Sequence, residues 1–431
     1  MKYEIGKAEI RKLTITTDVS KQEVDIANIA MSILFYEDIF SLYTSSNIEI
    51  LDGITLRNTL PIVGGETISM DVGEFNNLSP NIRKLKQDLV VFKMSSRQRI
   101  KQDLERYELN LVTKEQLLDA SISVDRSYNK PIHEIVSSVV SEFLTPISGK
   151  KLVTAELTEG IHSIIATGIT PSAFIKQLTK EAKSTENPAS LYMFYETVEG
   201  YHFETIDQMY SRDPKHTFTW DELYISSATP GAQDILQNNI RYLNMDNSFD
   251  LLNGQLDGEY ANEVNSFDPL TKTFKTKTYS YTKDFKESVH NNKTLFNTIE
   301  NRYFKNPTQT RYVVTNSHGA TVDYIVTNET TAQNIFRRRQ DFMSIERATM
   351  RQYGSTCIHC SIPGNSNVIA GQAINIIIPD ANDTVEGKIL NDRFISGKYI
   401  VTAVSHNIDA TTGTYATVME CMRKGYEGRI Y

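Results

Sequence analysis

The strongest constraint on the fold is a period of two in hydrophobicity near the start of the chain. Residues 26–40 read IANIAMSILFYEDIF, in which Ile29, Met31, Ile33 and Phe35 alternate with Asn28, Ala30, Ser32 and Leu34. Because successive side chains of a strand point to opposite faces, this alternation predicts a β-strand. Residues 48–72 and 354–431 carry further short apolar runs, separated by Gly, Pro, Asn and Asp. Both ends of the chain are therefore predicted to be mainly β.

The middle of the chain carries helical patterns. Apolar residues recur at three- and four-residue spacing from Ile132 to Leu144, with Pro131 suited to the first helical position. Residues 170–182 repeat this arrangement, with Thr170 as the predicted N-cap. Residues 331–353 are predicted to form one long helix that ends at Gly354. Lys and Thr alternate with aromatic residues in 272–285, which predicts an exposed or edge strand.

Composition excludes several classes of protein. The chain has 431 residues, enough for about two to four domains, and a net charge of −8, which opposes binding to nucleic acid. No apolar run approaches the roughly 18 residues of a membrane span, and the N-terminus has no apolar secretory segment. Three cysteines make no disulfide framework. These features predict a soluble, multidomain protein that folds in a reducing compartment.

Motifs for catalysis are missing from the sequence. It has no phosphate-binding glycine loop, no H-E-x-x-H and no G-x-S-x-G. Ser280 and Lys283 have Ser-x-x-Lys spacing but lack its companion motifs. His202 alternates with Tyr201 and Phe203, which favours a strand histidine over a general base. We therefore predict that the chain is not an enzyme and has no catalytic, cofactor-binding or metal-binding residues.

A basic run lies within the predicted long helix. It comprises Arg337, Arg338 and Arg339, with Arg347 and Arg351 further along the helix. A phosphate-binding face and a contact between subunits are two interpretations. The favoured interpretation is a solvated helix face that forms ion pairs with Asp341 and Glu346.

Two of the three cysteines lie in a C-x-x-C pattern within residues 354–365, GSTCIHCSIPGN. A structural zinc site usually needs four ligands, and the remaining candidates are Cys421 with His359 or His406. In an extended chain, Ile358, Cys360 and Ile362 share one face, and Cys357, His359 and Ser361 share the other. The two thiols would then lie on opposite faces and could not bind one ion. We therefore predict an ordinary strand that opens the C-terminal β section, rather than a metal knuckle or a redox pair.

Several phrases, read in order, resemble one protein family. They are YEDIF (36–40), LPIVGGETI (60–68), YELNLVTKEQL (107–117), SYNKPIHEIV (127–136), LYMFYETVEGYHFETIDQM (191–209), DPLTKTFKTKTYSYTKDF (268–285), GQAINIIIP (371–379) and ISGKYIVTAVSHNI (395–408). Together they resemble the central baseplate hub of contractile-tailed bacteriophages, on which the tail tube begins. The resemblance covers nearly the whole chain, and no single phrase is a chemical motif.

The resemblance implies an α+β, mainly β fold with two tail-tube-like β-barrel domains and intervening helical or mixed segments. The first barrel is expected in residues 1–112, with strands from 190–250 as candidates to complete it. A helical or mixed α+β domain is expected in 113–205, and a mixed segment with exposed strands and the long helix in 206–353. Residues 354–431 are expected to form the C-terminal part of the second barrel.

The same resemblance implies a structural virion protein made in the host cytoplasm and located in the tail baseplate. A homotrimer would join the hexameric tail tube, or a tube-initiator protein, to the trimeric central spike, and would also contact other baseplate proteins. DNA would pass through its lumen during genome ejection without sequence-specific binding. The net charge of −8 suggests an acidic lumen that repels phosphate. The chain ends without a lysozyme-like section or β-helix repeats, so a separate protein is expected to supply any hydrolase or piercing tip.

Three other functions stay open. A cell-wall hydrolase or peptidase at the tail tip is one, although the missing catalytic motifs argue against it. The equivalent hub of a bacterial contractile injection system is another, and the residues do not separate it from the phage hub. A receptor- or carbohydrate-binding tail protein is the third.

Overall fold

The computed structural model describes most of the chain. The described residues are 5–17, 21–54, 56, 60, 62–75, 85–187, 190–220, 236–247, 251–268, 273–280, 311–315, 339–354, 356–385, 388–392 and 394–425. Within these ranges, no helix combines the length and the apolar character that crossing a membrane requires.

Strands dominate these ranges. They are β1 Ala8–Thr16, β2 Glu23–Asp25, β3 Ala30–Asp38, β4 Ser45–Asp52, β5 Thr67–Glu74, β6 Leu85–Lys101, β7 Leu104–Thr113, β8 Val124–Lys130, β9 Leu152–Ala155, β10 His162–Ile169, β11 Tyr192–Thr197, β12 Gly200–Thr205, β13 His216–Thr219, β14 Tyr242–Asn247, β15 Ala261–Asp268, β16 Thr273–Ser280, β17 Arg311–Thr315, β18 Thr356–Pro363, β19 Ala373–Ile377, β20 Pro379–Val385, β21 Lys388–Asn391, β22 Gly397–Asp409 and β23 Thr414–Arg423. The helices are α1 Lys114–Asp119, α2 Ile132–Val139, α3 Thr145–Ser148, α4 Pro171–Glu181, α5 Ile206–Ser211, α6 Leu251–Leu256 and α7 Arg339–Gly354, with a π-helical turn at Val140–Leu144.

One large sheet joins the two ends of the chain. Its strands follow the order β14-β18-β23-β22-β3-β4-β7-β6-β5-β1-β2, and β19 pairs with both β22 and β13. The N-terminal and C-terminal strands meet where β22 pairs antiparallel with β3, from Ala403 opposite Asp38 to Asp409 opposite Ser32. The mainly β class is therefore confirmed. Two separate barrels were expected, but the N-terminal and C-terminal strands form one sheet, because β3 pairs with β22 edge to edge. No closed barrel is found among the described residues.

Two apolar cores lie along this sheet. Strand β18 has the predicted alternation, and β3 has it from Ile33 onward. A register shift between Ala30 and Ser32 places Ala30 in the core and leaves Ile29 and Met31, which were predicted to share the face of Ile33, only partly buried.

Ile33 and Phe35 of β3 are fully buried in the N-terminal core, which β1 and β4–β7 complete. Ile358, Cys360 and Ile362 of β18 are fully buried in the C-terminal core, together with side chains of β19, β22 and β23. The side chains between them on β18 are only partly buried. The period of two thus marks one buried face on each strand.

The helical patterns of the middle section are also confirmed. Thr170 precedes α4, and its side-chain oxygen accepts a hydrogen bond from the Ala173 amide at 3.4 Å, so it is the N-cap. The first predicted helix is broken into α2, the π-helical turn and α3, and Pro131 lies at its N-cap rather than at its first helical position. The apolar faces of α2 and α4 form a third core with strands β8 and β10–β12.

Strands from the region 190–250 pair away from the N-terminal strands. The hairpin β11–β12 joins β9 in a separate three-stranded sheet. β13 runs parallel to β19, and β14 runs antiparallel to β18, so both extend the C-terminal part of the large sheet. β16 lies at the edge of a further sheet with order β16-β15-β17, as its lysine and threonine pattern predicted.

The predicted long helix is observed as α7, Arg339–Gly354. Residues 331–338, including Arg337 and Arg338, lie outside the described residues. A fourth apolar cluster joins Tyr353 of α7 to Ile39, Tyr195 and Ile400, where the N-terminal, middle and C-terminal sections meet. The domain boundaries after residues 112, 205 and 353 stay predictions.

Candidate functional site

The outer half of β6 presents an open edge. Strand β5 pairs with β6 only from Leu85 to Val90, whereas β6 continues for eleven further residues to Lys101. From Lys93 onward β6 pairs with β7, and no other described strand pairs along its opposite side. Such an edge exposes backbone amides and carbonyls that a strand of another chain can pair with. We call residues 92–101 the open edge.

The side chains of the open edge are both apolar and basic. Phe92 is 49% exposed and Ile100 is 47% exposed, although both are large apolar residues. Arg97 forms a bidentate ion pair with Glu105 of β7, and each of its two nitrogen–oxygen distances is 3.0 Å. Exposed apolar side chains beside unpaired backbone groups are typical of a surface that another protein covers.

A buried loop, residues 363–372, locks the C-terminal section onto the N-terminal sheet. Glu37 of β3 is 1% exposed and accepts hydrogen bonds from the Ala370 amide at 3.0 Å and the Val198 amide at 2.7 Å. Glu74 of β5 accepts a hydrogen bond from the Ser366 amide. Buried backbone amides need partners, and these two carboxylates supply them across three sections of the chain.

Burial changes the protonation of Glu74. The side chain is 6% exposed, and loss of hydration raises its pKa to about 7, while the Ser366 amide opposes this change. Near neutral pH the carboxyl group is therefore only partly ionised, and the loop contact becomes sensitive to pH.

Two glycines of the same loop allow its close packing. A Cβ atom at Gly364 would overlap the ring of Tyr415, and a Cβ atom at Gly371 would overlap the hydroxyl group of Tyr195. Gly371 also has a φ of +81°, which residues with a side chain rarely adopt. The loop sequence PGNSNVIAGQ therefore needs glycine at both positions.

Two buried glutamates form ion pairs within the middle section, and one of them also bonds to the backbone beside β4. Glu196 of β11 forms an ion pair with Lys150 and accepts a hydrogen bond from the Thr44 amide at 3.0 Å. Glu204 of β12 forms an ion pair with Arg212 and accepts a hydrogen bond from the Tyr195 hydroxyl at 2.8 Å. Glu196 and Glu204 therefore have structural roles. The sequence did not indicate either residue, because no motif distinguishes a buried glutamate from the many exposed ones.

The C-x-x-C segment forms a strand, as predicted. Cys360 lies in the C-terminal core with Cys421, whereas Cys357 and His359 lie on the opposite face of β18. Burial, together with the nearby carboxylates Glu420 and Asp246, raises the pKa of Cys357 to about 12. Its thiol therefore stays protonated at neutral pH, which is opposite to the low pKa of reactive cysteines in redox motifs.

The structure places His202 apart from the C-x-x-C segment, within the hairpin β11–β12. His202 lies on β12, and its Nε2 and Nδ1 atoms are 2.9 Å from Thr197 Oγ1 and 3.2 Å from Thr154 Oγ1. Its ring stacks on Tyr195 with centroids 4.9 Å apart, so it is a buried strand histidine, as predicted.

The remaining candidates are the Ser-x-x-Lys pair and the charged residues of the predicted long helix. Ser280 ends β16, and Lys283 lies outside the described residues. Arg351 forms an ion pair with Asp257 at 3.0 Å, and Glu346 is 5% exposed, so Glu346 does not belong to the solvated face that the sequence predicted. Arg347 is exposed on α7.

Comparison of sequences finds no relative: no protein-family model matches the chain, and no curated protein matches it. Comparison of structures finds a number of similar proteins, among them two tail proteins. The tail protein from Neisseria meningitidis MC58 superposes with a TM-score of 0.53 at 9% identity, over 96% of this chain and 97% of the other. The 43 kDa tail protein of prophage MuSo2 from Shewanella oneidensis gives a TM-score of 0.53 at 10% identity, over 96% of this chain and 98% of the other.

Both superpositions span nearly the full length of both chains, so the similarity includes the large sheet and the sections around it. The sequence resemblance to a phage tail component is therefore confirmed at the level of the fold: this chain has the fold of phage tail proteins.

Proposed function

We propose that the chain is a structural virion protein, the trimeric hub of a contractile-tail baseplate. It would join the hexameric tail tube to the trimeric central spike and line the channel through which DNA passes during ejection. The observation that carries this proposal is the shared fold with two tail proteins over almost all of both chains. The order of the hub-like phrases along the sequence supports the same role.

The arrangement of the large sheet supports a match between three-fold and six-fold symmetry. Each chain contributes an N-terminal and a C-terminal set of strands, each with its own apolar core, joined at β3 and β22. Three chains in a ring would thus present six similar units to a hexameric tube and three identical chains to a trimeric spike.

The open edge is the proposed contact between neighbouring subunits. Strand pairing along residues 93–101, with burial of Phe92 and Ile100, would satisfy the free backbone groups and cover the exposed apolar side chains. An obligate interface commonly buries about 2,000 Å² or more, so the open edge would form one part of a larger contact.

The proposal includes no enzymatic activity. DNA would pass without sequence-specific binding, and an acidic lumen, expected from the net charge of −8, would repel the phosphates. The expected location is the tail baseplate, with synthesis in the host cytoplasm, and the expected partners include the tube or tube-initiator protein, the spike and other baseplate proteins.

Native mass spectrometry of the purified chain, alone and with its spike protein, tests the proposal. We expect a trimer, and we expect Phe92→Ser to shift the population toward monomer. Phe274→Ser is the matched control, because Phe274 is also exposed but lies on the separate sheet of β15–β17. A chain that stays monomeric at micromolar concentration with the spike present contradicts the hub.

A further inference from the structure

Three side chains with metal-binding atoms converge on the face of β14 and β18 that lies away from the C-terminal core. They are Asp246, Cys357 and His359, and their ligand atoms all lie within 4.8 Å of one another. His359 Nε2 is 2.7 Å from Asp246 Oδ2. Cys357 and His359 are two residues apart on one strand, so their side chains share a face.

A β-bulge brings Asp246 to this position. The pairing of β14 with β18 is regular from Tyr242 to Met245 and then shifts, so that Asn247 rather than Asp246 lies opposite Cys357. Asp246 is thus the extra residue of the bulge. Bulges re-aim a side chain relative to a regular strand, and here the carboxylate meets the imidazole of His359.

A fourth ligand comes from the next strand. Glu420 of β23 lies directly opposite His359 in the β18–β23 pairing. Its Oε1 atom is 3.8 Å from Cys357 Sγ. Asp246, Cys357 and His359 thus form the compact group, and Glu420 contacts it through Cys357. The Glu420 side chain would need to turn toward Asp246 and His359 to complete a set of four ligands.

This set of donors fits one class of metal ion. Zinc is bound by thiolate, imidazole and carboxylate groups, usually four in a tetrahedron, whereas calcium and magnesium prefer oxygen alone. Zinc bonds of about 2.0–2.3 Å in a tetrahedron separate the ligand atoms by about 3.3–3.5 Å. His359 Nε2 and Asp246 Oδ2, which are 2.7 Å apart, would move slightly apart on binding zinc, and Cys357 Sγ and Glu420 Oε1, which are 3.8 Å apart, would move slightly closer.

We propose that Asp246, Cys357, His359 and Glu420 bind one Zn²⁺ ion. The thiol proton of Cys357 passes to solvent as the zinc–sulfur bond forms, and no oxidant or reductant takes part. An ion can enter from solvent, because the side chains of His359 and Asp246 are 36% and 43% exposed.

The site would fasten the end strand of the large sheet. β14 is the last strand of the sheet path, and its partner there is β18. A zinc ion shared by β14, β18 and β23 would hold this end strand in register and hold its bulge in place. The inference rests only on these four side chains, and it stands whether or not the chain forms a hub.

Zinc titration of the metal-free full-length chain against a chromophoric chelator tests the site. We expect one Zn²⁺ per chain with a Kd below about 0.1 μM. Cys357→Ser and His359→Asn should each weaken binding by about 100-fold or more. Asp125→Asn is the matched control for Asp246→Asn, because Asp125 is an exposed aspartate on β8, outside the site. The Asp125→Asn variant should bind zinc as tightly as the unmodified chain does.

Cobalt substitution of the unmodified chain gives a second readout that needs no variant. A thiolate ligand produces a sulfur-to-cobalt absorption band, which we expect to appear at one equivalent of Co²⁺ and to disappear on addition of Zn²⁺. The proposal is overturned if one equivalent of Co²⁺ gives no sulfur-to-cobalt band. It is also overturned if the zinc affinity is unchanged in both Cys357→Ser and His359→Asn.

Discussion

Neutralising Glu74 should stabilise the protein at and above neutral pH. Its carboxyl group is buried between β5 and the loop at Ser366, and burial raises its pKa from the ordinary 4.5 to about 7. Below pH 4.5 both the folded and the unfolded chain hold the proton, so the group has no effect. Between 4.5 and 7 the unfolded chain loses its proton first, so rising pH progressively favours unfolding.

The size of this effect follows from the two pKa values. At 1.36 kcal/mol for each factor of ten in proton affinity, the difference between 4.5 and about 7 corresponds to about 3 kcal/mol. Glu74→Gln removes the titration and retains an oxygen that can accept the Ser366 hydrogen bond. The stability of Glu74→Gln relative to the unmodified chain should therefore rise by about 3 kcal/mol between pH 4.5 and pH 8.

Urea unfolding followed by circular dichroism across this pH range measures the difference. Glu134→Gln is the control, because Glu134 is exposed on α2, and its curve should follow that of the unmodified chain. Parallel pH curves for Glu74→Gln and the unmodified chain would refute the reasoning, since Glu74 would then titrate equally in both states.

Three further perturbations test other parts of the structure. Gly364→Ala places a methyl group against the ring of Tyr415, so its unfolding free energy should fall by about 1–3 kcal/mol in urea titration; an unchanged midpoint would contradict the close packing. Lys150→Met leaves the carboxylate of Glu196 buried without its cation, and thermal or urea unfolding should show a loss of about 3–5 kcal/mol; a loss below 1 kcal/mol would show that the pair is solvated. Phe92→Ser should change monomer stability by no more than about 0.5 kcal/mol while it weakens the trimer in sedimentation velocity, because the ring is already 49% exposed.

Local elements of this fold were predictable, because their signals lie within a few neighbouring residues. Alternation marked β3 and β18, and a threonine followed by proline marked the start of α4. The pairing of β3 with β22 was not predictable, because nothing near either strand specifies a partner so far away in the chain. The π-helical turn at Val140–Leu144 carries no local signal either, since the apolar stripe continues through it.

The chemistry of the C-x-x-C segment was predictable in part. The period of two correctly separated the two thiols onto opposite faces of β18. Asp246 and Glu420 come from two other strands, and a bulge in β14 aims Asp246 at the site. Such a cluster is formed by sheet register and a bulge, so spacing along one strand does not reveal it.

Cryo-electron microscopy of the purified chain with its spike protein tests the central claim most directly. The account predicts a three-fold ring around an open channel, with six similar units on the tube-facing side and the open edge of β6, residues 92–101, buried between neighbouring subunits. Single copies or two-fold dimers, with residues 92–101 exposed to solvent, would contradict the hub.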